Sequence, residues 1–528
     1  MTTHDEMARL PAMGRIGRRD LIKGAAVLGA VGAAERMLGR PAQAAAPKKG
    51  GALKIAIGAG STSDTFDPAT FTDSYMQFVG FGCMRNCLTE IDNAGKLIGE
   101  LAESWTASPD AKVWSFKIRK GVTFHDGKAL TTEDVIDSIN HHRGDDSKSP
   151  AKPLLAPITS LKSDGDAVVI TLEAGNADLP YLLSDYHIAI MPSTGDGKVD
   201  WQSGNGTGGY AVKKFEPGVR AYLERNPNYW KTGRAHFDSI EVLSIIDVAA
   251  RTNALTTGEI HLMDRCDLKT VHLLKRTKKV NIYEVTGSQH YTFPMITTQA
   301  PFDNNDVRLA LKFAVNREEM VQKILRGYGK VGNDTPIAPS TSFYAELEQR
   351  TYDPDKAKFH LKKAGAEGLT LDLSAADAAF AGAVDAAVLY KEHAAKAGIT
   401  INVIREPNDG YWSNVWMKKP WGACYWGGRP TADWMFSTAY EAGAAWNDTF
   451  WDNAKFNQLL TAARVELDEA KRAEMYKEMQ TLVRDDGGVV VPMFANYVGA
   501  ASDELAHDKM AGNWDLDGMK ASERWWFA

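Results

Sequence analysis

LAESWTASPDAKVWSFKIRKGVTFHDGKALTTEDVIDSI, residues 101–139, carries three local signals in one order. Trp114, Phe116 and Ile118 alternate with polar neighbours, the period of a half-buried strand. His125-Asp126-Gly127 follows as turn chemistry. Thr131 or Thr132 then offers the side-chain oxygen that caps a helix, and Val135, Ile136 and Ile139 fall on one side of that helix. Strand, turn and capped helix together predict an α/β chain.

Toward the amino end, Leu53, Ile55 and Ile57 alternate as a first strand that stops at Gly58-Ala59-Gly60 and enters a polar loop, a candidate cleft wall. A dinucleotide loop would need a third glycine and an acidic residue after a second strand, and this stretch has neither. Val168, Ile170 and Leu172 suggest another strand, as do Ile240, Val242 and Ile245. Helices dominate beyond residue 300. Asn305-Asp306 opens one, Asn316 and Glu319 have capping-box spacing for a second closed by Gly327, and Asp353-Pro354 starts a third closed at Gly365. A strand at 369–373, a helix near 381–396 and a strand at 399–404 form a β-α-β unit, which predicts parallel pairing.

The 101–139 block resembles the signature region of the family 5 bacterial extracellular solute-binding proteins. Gly206-Thr207-Gly208-Gly209-Tyr210 and the segment from Leu223 to Trp230 look like two further family motifs, with Gly209 where proline is usual. FDNNDVRLALKFAVNREEMVQKILRGYG at 302–329 and YDPDKAKFHLKKAG at 352–365 look like its second-lobe motifs. The resemblance covers essentially the whole chain after the leader. It implies a two-lobe periplasmic binding protein of the large, type II-like cluster, with an extra subdomain and a hinged interlobe cleft. It places lobe I at 47–286, lobe II at 287–494 and a return to lobe I at 495–528, with crossings near Gly287 and Phe494. It also implies a monomer that captures a small organic solute and delivers it to an ABC permease, with no catalysis and no cofactor.

Residues 1–44 pair Arg18-Arg19 with GAAVLGAVGAA and the small-x-small sequence Ala42-Gln43-Ala44, the form of a twin-arginine signal peptide. No cysteine stands beside the expected cleavage point, so the mature protein is expected free in a periplasm rather than lipid-anchored. The chain has 528 residues, 44% of them hydrophobic, enough for more than one core. Its net charge of −6, without a basic stripe interleaved with aromatics, argues against nucleic acid. Cys83 and Cys87 are four apart, so on a helix they would share a face; a local bridge and two buried thiols both remain open. Zinc lacks support: there is no Cys-x-x-Cys pair, and the adjacent His141 and His142 diverge on a helix.

Seven of the fourteen tryptophans lie in 411–451. Most are expected in a core, but Trp426 belongs to YWGGRPTADWMF, at 425–436, which matches the family's ligand-contacting loop and also holds Tyr425 and Asp433. In peptide-binding relatives this loop commonly reads tryptophan, two residues, aspartate, and the carboxylate pairs with the peptide ammonium. Here Arg429 stands at that position. A guanidinium repels an ammonium and favours a carboxylate or phosphate, so an acidic amino-acid conjugate, an opine-like compound, a modified peptide or a phosphorylated sugar conjugate becomes the expected solute. The competing reading turns Arg429 outward or pairs it with Asp433. Thr62, Tyr75, Tyr291, Trp446 and Asn447 are further candidate contacts.

An enzyme reading rests on Ser149-x-x-Lys152, Ser203-x-Asn205 and Lys231-Thr232-Gly233, the three motifs of penicillin-binding serine enzymes in order. The last two lie too close together for that architecture, and Ser149 sits in a loop rather than at the start of an apolar helix. Serine acyl transfer and a chemosensory solute receptor are the alternatives to import. No GxxxxGK[ST] loop is present, so an importer's ATPase would be a separate polypeptide.

Overall fold

Val113–Ile118 is a strand, and it pairs antiparallel with Ala102–Ala107 and Ala167–Leu172 in a four-stranded sheet completed by Ile158–Asp164. The computed structural model describes residues 47–528 apart from Thr72, Asp145, Asp146, Lys148, residues 408–410 and Pro430, so the expected leader lies outside the described residues. Thr131 caps the helix Thr132–His141 through a capping box: its side chain accepts from the Asp134 amide, and its own amide donates to the Asp134 carboxylate at 2.8 Å. Trp114, Phe116 and Ile118 meet Val135 and Ile139 in one buried cluster. The alternation read from the sequence thus builds a small sheet-and-helix subdomain.

A larger mixed sheet connects the rest. Its order is Cys424–Trp426, Val280–Pro294, Val489–Ser502, Leu262–Met263, Ala52–Ile57, Ser239–Ser244, Arg220–Arg225 and Tyr210–Glu216, with Gly329–Val331 also on Val489–Ser502. Ala52–Ile57 is central and runs parallel to both neighbours. The strands Val280–Pro294 and Val489–Ser502 pair antiparallel along their lengths, but the register breaks between Thr286 and His290, opposite Asn496 and Phe494. Before the break Tyr283 packs with Leu53, Ile55 and Trp525. Beyond it Phe293 and Met493 enter a second core with Leu311 and Leu373, while Phe494 joins a third with Trp426, Phe436 and Tyr476. One strand pair shared by two lobes, irregular where it passes between them, is hinge geometry.

In the second lobe Thr370–Ala375 and Thr400–Arg405 pair parallel, with Ala383–Ala395 as the crossover helix. Asn316 caps Arg317–Lys323, and Asp353 caps Pro354–Ala364, which Gly365 closes at φ 65°. The carboxyl end is fixed to the first lobe by buried charge. Arg524 meets Glu90 at 2.7 Å, and the Lys231 ammonium reaches Glu90, Glu100 and Glu523 at 2.5, 2.5 and 3.2 Å.

Cys83 and Cys87 are free, buried thiols. The π-helical segment Gln77–Met84 stops before Cys87, so the shared helical face that a local bridge needed never forms. The Cys87 thiol donates instead to the Asp185 carbonyl at 3.3 Å.

Candidate ligand site between the lobes

Cys424–Trp426 adds an edge strand beside Val280–Pro294, with His290 opposite Trp426 and Tyr291 opposite Tyr425. Side chains alternate across a sheet, so Trp426 and His290 share one face and the two tyrosines share the other. After Trp426 the chain turns back against the hinge: a Cβ on Gly428 would lie 1.8 Å from the Ser288 hydroxyl oxygen and 2.8 Å from its Cβ, so a larger residue would force Ser288 to move.

The half-buried Arg429 donates through Nη1 to the carbonyls of Gly427 and Gly428 at 3.2 and 3.3 Å, and its guanidinium carbon lies 5.9 Å from the centre of a Trp426 ring. Among the described residues no carboxylate lies within ion-pair distance of it. Burial lowers its pKa, against the opposing influence of Tyr186 from the first lobe and of Tyr425. Burial, with Arg429 nearby, also brings His290 down to about 4, so the imidazole is neutral at physiological pH.

Asp433 is not the partner of Arg429. It sits in the first turn of Ala432–Ala439, a helix capped by Thr431, and binds Arg464 at 2.9 Å. Burial raises its carboxyl to about 6 despite Arg464. Around the loop, the rings of Trp416, Trp426 and Trp446 lie 6.3 to 6.4 Å apart, and Trp446 is 51% exposed. Buried Asp448 accepts the Trp416 indole N–H at 3.1 Å, orienting one of the three rings. The opposite wall holds Tyr186 and Trp514 from the first lobe, edge to face at 5.4 Å. Sequence reasoning missed Asp448, Tyr186 and Trp514; only the adjacency of Asp448 to Trp446-Asn447 offered a signal.

The other candidates lie apart from this loop. Tyr75 is fully buried, its hydroxyl 3.4 Å from the Val242 carbonyl, so it is a core residue rather than a contact. Asn447 spends its amide on the Glu441 and Trp451 carbonyls and accepts from Thr449, leaving no donor for a solute. Thr62 is exposed in the first-lobe loop. Tyr291 stacks on Phe380 at 4.1 Å and walls a separate cavity of about 840 Å³ with Leu268, Lys323 and Asp385 on the other face of the hinge sheet. The serine-enzyme motifs have structural partners: three carboxylates surround Lys231, and the Ser149 hydroxyl is 2.7 Å from His142 Nδ1.

Residues 96–448 match the sequence profile of the bacterial extracellular solute-binding proteins, family 5. The chain belongs to this family. The family 5 fold accounts for two lobes joined by a paired-strand hinge, and the known relatives are binding proteins of ABC importers. The chain is 27% identical over 470 residues to the glutathione-binding protein of Pectobacterium atrosepticum, covering 85% of this chain and 90% of that one. HbpA2 from Haemophilus parasuis superposes with a TM-score of 0.78 at 20% identity, over 89% of this chain and 99% of that one. The binding protein AgaA of A. tumefaciens R10, solved with agropinic acid, gives a TM-score of 0.69 at 21% identity, over 90% and 99% of the two chains.

Proposed function

We propose that this family 5 protein captures an anionic organic solute between its lobes and hands it, chemically unchanged, to an ABC permease. The observation that carries the reading is Arg429, a half-buried guanidinium at the interlobe surface with no carboxylate partner among the described residues. A half-buried guanidinium without a counter-ion is poised for a carboxylate or phosphate that can accept two parallel hydrogen bonds. Trp446, half exposed beside this loop, would supply an aromatic face for the body of the solute, whereas Trp426 is buried in the core beneath it and Tyr425 lies on the other face of the sheet. A conjugate with a free carboxylate fits, and relatives named for glutathione and solved with agropinic acid lend that class support.

The lobes meet at several points besides this site. The Ala177 amide donates to the Arg464 carbonyl at 2.7 Å, and Asp178 pairs with Arg472 at 2.5 Å. Such contacts belong to a closed form, which a solute touching both lobes would favour over an open one. The register break supports crossings at Gly287 and Phe494, hence lobes at 47–286 and 287–494 with a return at 495–528. We place the mature protein in the periplasm as a monomer, exported by the twin-arginine route.

Calorimetry of Arg429→Ala with the solute that co-purifies with the wild type tests the reading. A charge-assisted contact contributes about 1.5–3 kcal/mol, so affinity should fall by roughly tenfold to a hundredfold. Unchanged binding would remove Arg429 from the site.

A further inference from the structure

The cavity that Tyr291 walls is a second opening in the molecule, on the face of the hinge sheet away from His290 and Trp426. Its volume of about 840 Å³ falls in the range of small-molecule sites. Residues 266–269, ahead of the hinge, and residues 323–326 and 377–392, beyond it, contribute to its lining. Leu268, Tyr291, Ile324 and Leu389 make much of that lining apolar, and Val388 beside them is 45% exposed, so the apolar surface reaches solvent.

The charges around it are sorted by sign. On the helix Ala383–Ala395, Asp385, Val388, Leu389 and Glu392 recur at the three- and four-residue spacing of one face, so two carboxylates bracket an apolar pair. Lys269 and Arg326 carry the opposite charge, from the segment ahead of the hinge and from the loop after Arg317–Lys323. All four are exposed, and among the described residues no ion pair joins any of them to a partner: opposite charges line one cavity but stand beyond contact distance. The other charged groups in the lining are engaged. Lys323 pairs with Glu319 at 2.5 Å, Asp267 accepts from the Lys269 amide at 2.9 Å, and Asp377 accepts from the Gly382 amide at 3.2 Å.

We propose that this cavity binds a second ligand, a small zwitterion whose two charged ends are separated by an apolar body. Its ammonium would lie toward Asp385 and Glu392, its carboxylate toward Lys269 and Arg326, and its body against Leu268, Ile324 and Leu389. Charge-assisted hydrogen bonds at both ends fix the orientation, and a ligand stripped of either charge leaves the matching pair of side chains unanswered. The proposal is independent of Arg429, since no residue of the 427–434 loop lines the cavity.

Calorimetry with leucyl-leucine tests this beside N-acetyl-leucyl-leucine, which lacks the ammonium, and leucyl-leucinamide, which lacks the carboxylate. The proteins are the wild type, Asp385→Asn with Glu392→Gln, Lys269→Gln with Arg326→Gln, and Arg429→Gln; the four cavity residues are exposed, so their replacement should leave the fold intact. The wild type should bind leucyl-leucine about tenfold or more tighter than either derivative. The carboxylate double variant should lose the preference over the acetylated probe, the basic double variant should lose the preference over the amide, and Arg429→Gln should keep both. No binding of leucyl-leucine, preferences that survive in the double variants, or binding lost in Arg429→Gln alone would overturn the proposal.

Discussion

Removing Asp178 should open the protein without unfolding it. Asp178 in the first lobe and Arg472 in the second lie 2.5 Å apart, with side chains 3% and 4% exposed. Arg472 also donates to the Ala463 carbonyl at 3.1 Å and covers the Phe343 ring at 4.7 Å, so truncating it would remove packing as well as charge. Asp178→Ala isolates the charge. It leaves a lone guanidinium buried, which costs about 3–5 kcal/mol where no escape exists. Opening the lobes is an escape, because it returns Arg472 to water, so the penalty falls on the closed form alone. A shift of about 3 kcal/mol lowers solute affinity by about two decades. The thermal midpoint of the ligand-free protein should move little, and its small-angle scattering should show a larger radius than the wild type. Asp178→Leu combined with Arg472→Met should recover most of the affinity, since a buried ion pair exchanged for apolar groups is often near neutral. Full affinity in Asp178→Ala, or a large loss of thermal stability with affinity retained, would refute the interlobe role.

Asp334 accepts two hydrogen bonds from Arg317, at 2.7 and 2.6 Å, lies 3.0 Å from Arg350 and takes the Val491 amide at 3.0 Å. Asp334→Ala should therefore destabilise the second lobe by about 3–5 kcal/mol in denaturant titration, and a loss below about 1 kcal/mol would contradict the network. Tyr75→Phe should leave solute affinity unchanged in calorimetry, whereas a tenfold loss would return Tyr75 to the site. Burial raises the Asp448 carboxyl from 3.8 to about 6, so its contribution to stability is present below the unfolded value and lost as pH rises through the folded one. The thermal midpoint of Asp448→Asn should accordingly gain on the wild type between about pH 4 and 6, and a pH-independent difference would count against that ionisation.

The local signals were legible because each depends on near neighbours. Thr131 with Asp134, Asn316 with Glu319, and Asp353 with Gly365 carry their helix ends within a few residues, and the alternation at Trp114, Phe116 and Ile118 fixes which face is buried. The site was legible only in part. Arg429 drew attention through its loop, but its obvious neighbour, Asp433, belongs to Arg464, 31 residues further on. Tyr75 looked like a loop aromatic until the helical turn around it packed into the first-lobe core. Asn447 looked like a free amide, yet its hydrogen bonds serve its own loop. Tyr186 and Trp514 are more than 300 residues apart in sequence, so only the fold brings their rings together.

The most direct measurement is native mass spectrometry of the protein purified from its own cell envelope, followed by release and identification of what it carries. The account predicts one small organic anion per chain, recovered chemically unchanged and absent from Arg429→Ala. A neutral or cationic cargo, or a bound compound converted to product during incubation, would contradict it.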